Sequence, residues 1–268
     1  FRNFDGNMQC RLSHSRLSSL STRRRLSTLS RVAVDDTTAM IVGRPYWRYP
    51  LAVAKPEPSM RPLIEAIAAL PASARPFRMV SHESEDGRVF NSTFFEDDSA
   101  ATAFLAWYND HALTGGGQFH SCLAGAIAEG EELPTGETLL FGRGSGVLDD
   151  TRFGEYQLGM SVRYSVATFR SAAMEEEARA VGTSAAFERR IAEAMTGSGI
   201  SYFGRLVMKA APAEPGGPPR WITASRYGSL QEATAGTALV RRLCEDEMAR
   251  WFTSYDTIIG TASRVLDQ

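Results

Sequence analysis

The side chains that could do chemistry in this chain are few and dispersed. His111 follows Trp107 by four residues, which sets the two on one face of a helix. His120 comes just past a glycine run at 115–117, while Asn91 and His82 lie in strand-like runs. A histidine near a helix end can act as a general base, or it can be a solvated cap that favours the helix dipole. His82 shares a strand face with Val80 and reads as a core or rim histidine. Trp47, Tyr49, Trp221 and Tyr227 are strand aromatics, suited either to stacking on a planar ligand or to filling a core. No HExxH, GxSxG, CxxC or paired-carboxylate arrangement is present, and Cys10, Cys122 and Cys244 have no metal-like spacing. Reduced thiols, the last two of them buried, are the expectation. The GRGSG stretch at 142–146 lacks the Walker lysine and the third Rossmann glycine, so it reads as a linker. The run Glu175, Glu176 and Glu177 sits in the first turns of a helix, where it favours the dipole.

The elements that must carry these residues follow from hydrophobic period and from turn and cap residues. Residues 46–55 alternate as a strand, with Pro50 confining it to an edge or bulge. Ser59 caps a helix over 60–70. Strands at 77–84 and 88–95 flank Asp86-Gly87, a strong hairpin signal. Asp97 caps a helix that buries Ala101, Phe104, Leu105 and Tyr108; a short helix at 119–129 and a strand at 137–143 follow. After a linker-like stretch at 142–154 the cycle restarts. Residues 156–167 alternate strictly, which predicts one buried face on an antiparallel sheet. A helical region at 172–195 breaks at Gly182, and strands occupy 202–210 and 220–227. Ser229 and Glu232 form a capping box for the next helix; a further segment near 251–259 precedes a last strand at 261–266.

The order β-α-β-β-α-β therefore occurs twice, and the stretch 220–240 echoes 88–106. Arg48 to Ala52 also aligns with Arg163 to Ala167 in the first strand of each half. The predicted class is α+β, with a leader at 1–40 and ferredoxin-like repeats at 45–145 and 155–268. A ferredoxin-like unit leaves one sheet face bare, so two in tandem would close an α/β barrel within one chain.

The phrase WITASRYGSLQEA at 221–233, with its weaker counterpart FFEDDSAATAFLAW at 94–107, resembles the antibiotic-biosynthesis-monooxygenase and NIPSNAP-like members of the dimeric α/β-barrel superfamily. That resemblance implies a pocket between sheet and helices for a small hydrophobic, aromatic or polyketide-like molecule. It implies oxidation by molecular oxygen without metal or flavin, and hence no cofactor. Asn91, Trp107 and His111 would be the catalytic residues and Trp47, Tyr49, Trp221 and Tyr227 the substrate-binding ones. In such a mechanism His111 or His120 would remove a proton and Asn91 would hold the resulting oxyanion. Some members degrade haem, which would make His120 the haem ligand; others lack known chemistry, which would make the chain a non-catalytic subunit of an organellar complex.

The 268 residues, 43% hydrophobic and 22% charged, are ordinary globular composition. No window is apolar enough for a membrane helix. The first 34 residues hold seven arginines and seven serines but one acid, Asp5, which reads as a mitochondrial or plastid transit peptide on a soluble body. Without the leader the net charge is about −8, unsuited to a nucleic-acid partner. A monomer or a homodimer satisfies barrel closure. Imported, processed protein is expected to begin between Val32 and Met40; an intact Phe1 or Met8 on N-terminal sequencing of native material refutes cleavage.

Overall fold

The computed structural model describes residues 34–46, 60–124, 140–150 and 157–267. The first described strand, β1 (Ala39–Gly43), lies ahead of the one expected at 46–55. Its first four residues, Ala-Met-Ile-Val, are buried on both faces, so it reads in sequence as a short apolar run rather than an alternation. Tyr46 makes an isolated bridge to Val89, and residues 47–59, with Trp47, Tyr49 and Ser59, lie outside the described residues. The alignment of Arg48 to Ala52 with Arg163 to Ala167 falls on those residues too.

Next come α1 (Arg61–Ala68), β2 (Arg78–Glu83), β3 (Val89–Phe95) and α2 (Asp98–Tyr108). Gly87 turns the β2–β3 hairpin with φ 82°, a conformation open to glycine without strain. Asp97 caps α2, accepting from the Ala100 N–H at 2.7 Å. A π-helical turn, Asn109–Leu113, and α3 (His120–Ala124) lead to β4 (Leu140–Asp150). The second half runs β5 (Ser161–Phe169), α4 (Ala172–Gly182), α5 (Ala185–Gly197), β6 (Tyr202–Ala210), β7 (Arg220–Tyr227), α6 (Leu230–Leu243), α7 (Glu245–Trp251) and β8 (Phe252–Asp267). Ser171, Ser184 and Ser229 cap α4, α5 and α6.

All eight strands join one antiparallel sheet that closes on itself in the order β1-β3-β2-β8-β5-β7-β6-β4. Within each half the order is ferredoxin-like, β4-β1-β3-β2 and β8-β5-β7-β6, and the halves meet at β2–β8 and β6–β4. Closure removes the exposed strand edges that an open sheet would present. β8 is sixteen residues long because it pairs with β5 along its first part and β2 along its second. The segment 252–259, set apart from the last strand in the sequence reading, is thus strand, as Thr253, Thr257, Ile258 and Ile259 favour.

Both sheet faces are covered. Even-numbered positions of β1, β3, β5 and β7 point into the lumen, where Met40, Phe90, Phe94, Val162, Tyr164, Val166, Ile222 and Ala224 pack with Leu206 and Met208. Odd-numbered positions face the helices. Under α1–α3 lie Ile41 and Phe95 with Leu63, Ile67 and Phe104; under α4–α7 lie Phe169, Trp221 and Tyr227 with Ala178, Met195 and Ala233. β5 accordingly is buried on both faces, against the single buried face expected, while Leu158 ahead of it is 66% exposed.

GRGSG is strand, not linker. A Cβ on Gly142 would stand 2.7 Å from Val166 Cγ2, and one on Gly144 would land on Ile222 Cγ2 and 3.0 Å from Met208 Cβ. Side chains from β5, β7 and β6 occupy that volume, so these glycines are what lets β4 line a filled lumen. Gly144→Ala is expected to destabilise by roughly 1–3 kcal/mol through overpacking. Gly116→Ala, with open space around its Cβ position, is expected to stay within about 0.5 kcal/mol of the parent in urea unfolding.

Candidate functional site

In the first half Asn91, at an odd-numbered position of β3, faces the side of the sheet that α2 covers. The ten steps from Asp98 to Tyr108 rise about 15 Å, the span of four to five strand residues, which returns Trp107 toward the start of β3. Tyr46 lies at that same end, exchanging backbone hydrogen bonds with Val89 at 2.9 and 2.8 Å. It raises the Tyr108 phenol pKa further, after burial, the larger cause. The Trp107 indole stacks on the His111 imidazole with ring centroids 5.2 Å apart at 18°, and touches Phe119 at 6.0 Å.

His111 sits in the π-helical turn, a local widening that is frequent at functional sites. Its Nδ1 is 2.8 Å from the Trp107 carbonyl oxygen. A carbonyl only accepts, so Nδ1 carries the proton and Nε2 keeps the lone pair. On β3, Asn91 Oδ1 accepts from Ser81 Oγ at 2.8 Å across the β2–β3 pair, which turns the amide's Nδ2 donors away from Ser81. Trp107 and His111 thus meet directly, while Asn91 meets Ser81 on the helix side of the β2–β3 pair.

Trp221 and Tyr227 do not join that group; they lie under the helices of the other half. Trp221 meets Phe169 edge-on at 4.7 Å and donates its indole N–H to Glu175 at 3.0 Å, as Trp251 does to Glu177 at 3.1 Å. Two of the three glutamates of the acidic run therefore fix tryptophans. The Tyr227 ring lies against α6, where a Cβ on Gly236 would be 2.5 Å from its Cε1. Around it, Arg205 binds Asp149 at 2.9 Å, Glu188 at 3.0 Å and the Gly182 carbonyl, tying β6, β4 and both helices together. Glu188 has its pKa raised by burial, with Arg205 opposing.

This polar layer was not singled out from sequence. The signal was the polar half of the β5 alternation, Ser161, Arg163 and Ser165, which looked solvent-facing until helices covered it. Ser161 Oγ is 2.8 Å from Thr261 Oγ1, and Ser165 Oγ is 3.2 Å from Thr257 Oγ1.

Two histidines fall elsewhere. His82 is in the lumen, stacked on Phe90 at 4.8 Å with Nε2 3.0 Å from Ser92 Oγ, a core histidine as expected. Burial pushes its pKa down to about 3. His120 opens α3, and its Nδ1 is buried without a hydrogen-bond partner among the described residues. Haem does not fit this arrangement. A ligating histidine usually has its other ring nitrogen held by a carbonyl or carboxylate, and His120 lacks that support. The second half, from 155 on, contains no histidine. Among the described residues no group of three or more His, Cys, Asp or Glu side chains could hold a metal, and no helix is long and apolar enough to cross a membrane.

No family model matches the chain, and no curated protein matches it in sequence. Solved structures do match in fold. An anthrone oxidase-like protein superposes with a TM-score of 0.50 at 10% identity, over 87% of this chain and 94% of its own. A double mutant of chlorite dismutase from Candidatus Nitrospira defluvii gives 0.50 at 12% identity, over 86% and 93%. The chain shares their α+β barrel architecture across nearly its full described length.

The depressed His82 pKa carries a stability signature. The unfolded chain protonates this histidine near pH 6.5 and the native state near 3, so stability falls with pH through that window. Between pH 7 and 5 the loss assigned to His82 is about 2 kcal/mol. His82→Phe is expected to flatten the pH dependence of the urea midpoint by that amount; an unchanged dependence contradicts the assignment.

Proposed function

We propose that the chain is a small-molecule-binding barrel with monooxygenase-type chemistry on the helix-covered face of its first half. His111 serves as the base, Asn91 as the oxyanion donor and Trp107 as the aromatic platform. The observation that carries this reading is the His111 Nδ1 contact with the Trp107 carbonyl, made within a π-helical turn. It leaves Nε2 able to accept a proton and fixes the plane of the ring against the indole. The shared fold of the anthrone oxidase-like protein supports a planar aromatic substrate.

Chemically, an activated phenol or a carbonyl-flanked C–H would lose its proton to His111 Nε2. The resulting negative charge would be held by Asn91 Nδ2, and the carbanion or phenolate would meet molecular oxygen directly. An amide donor facing the developing charge stabilises the anion more than its neutral precursor, which raises the rate rather than ground-state affinity. Trp47, Tyr49, Trp221 and Tyr227 remain proposed as substrate-binding residues, the last two in the other half. Descent of the two halves from one doubled unit is proposed on the matching order of β1–β4 and β5–β8 with their helices. Import directed by the basic leader is proposed from its composition alone.

Oxygen-electrode assays with anthrone-like and quinol substrates test the chemistry. His111→Ala is expected to lower turnover roughly 10²–10⁴-fold and Asn91→Ala roughly 10²–10³-fold, with His111→Gln no better than alanine because it cannot take the proton. Oxygen uptake unchanged in both alanine variants refutes the assignment.

A further inference from the structure

The second half carries a buried cation whose charge the described protein atoms do not neutralise. Arg163, in the middle of β5 on the helix side, is 5% exposed. Its Nη2 donates to Ser225 Oγ at 2.8 Å across the β5–β7 pair, but Nε and Nη1 have no hydrogen-bond partner among the described residues. Guanidinium stays protonated at any ordinary pH. Removing such a charge from water costs several kcal/mol unless an opposite charge and hydrogen bonds offset it.

The groups nearest to it electrostatically are the phenols of Tyr255, Tyr227 and Tyr202 and the thiol of Cys244. Burial raises the pKa of Tyr202, Tyr227 and Cys244, so these three are neutral at pH 7. Glu188, which reaches the Tyr202 hydroxyl at 3.5 Å, is already bonded to Arg205. Two more polar atoms of the same sheet face are buried and unpartnered among the described residues. They are Thr223 Oγ1, on the strand beside Arg163, and the Tyr227 hydroxyl, two residues past Ser225. A guanidinium and two hydroxyls, all able to donate and none served by a carboxylate, are complementary to an anion.

We propose that Arg163, Thr223 and Tyr227 form a binding site for a small monovalent anion beneath α6. One guanidinium matches one negative charge, as carried by chloride, nitrate or a carboxylate group. The site lies under the helices of the other half from His111 and shares only Tyr227 with the residues proposed above, so the anion response of Arg163 is tested apart from the oxygen chemistry of His111.

The full chain, exchanged into gluconate buffer at constant ionic strength, is titrated with chloride, nitrate, formate or benzoate while its thermal midpoint is followed. A saturable rise in midpoint is expected from a ligand that binds the native state, and it should be absent in Arg163→Met. Tyr227→Phe and Thr223→Val, which keep the packing nearly unchanged, are expected to weaken the apparent affinity roughly 10-fold each by losing a hydrogen bond to a charged group. A response to inorganic anions and formate alone makes the occupant a free ion. A response to benzoate as well makes it the carboxylate end of an organic molecule. No saturable response in the parent chain overturns the site, and so does an equal response in Tyr227→Phe and Thr223→Val, should Arg163→Met not fold.

Discussion

Closure of the sheet is the constraint from which the rest follows. Four strands of each half cannot satisfy their outer edges alone, and the β2–β8 and β6–β4 pairings join the halves into one ring. The ring has a cost in space: the lumen must take side chains from eight strands at once. Ile222 reaches across to β4, and only glycine at 142 and 144 leaves room for it. The same crowding operates at β8, where a Cβ on Gly260 would stand 2.6 Å from Phe90 and 2.9 Å from His82. A histidine held there by Ser92 and Phe90 stays neutral because no water reaches it.

The lumen is packed with side chains, and a second buried layer lies between sheet and helices. The two halves use that layer differently. The first half places a π-turn histidine, an indole and an oriented asparagine there, amid aromatic side chains. The second half fills it with hydroxyls and guanidinium groups, some bridged by Asp149 and Glu188 and one, Arg163, left with open donors. Similar element order therefore supports two distinct chemical environments.

The local features were legible from residue order. The hairpin at Asp86-Gly87, the caps Asp97 and Ser229, the break at Gly182 and the bounds of β6 and β7 all depend on contacts a few residues apart. The pairing of Trp107 with His111 was equally readable, since an i, i+4 spacing places both on one helix face. β1 was not, because four apolar residues beside a basic leader carry no period. Nor was β4, because glycine and serine resemble a linker wherever the neighbours that need their smallness are distant in sequence.

The sequence by itself determined the α+β class, the doubled order of elements and the caps that start α2 and α6, all set by short-range hydrogen bonding and hydrophobic period. Only the tertiary structure decided what covers each face. An alternation such as that of β5 states that two faces differ, yet polar residues on one of them are read as wet. Helices α4–α7 fold over that face and strip the water from Arg163, Ser165 and Ser225, and burial of a charge is a property of everything packed around it rather than of the strand that carries it.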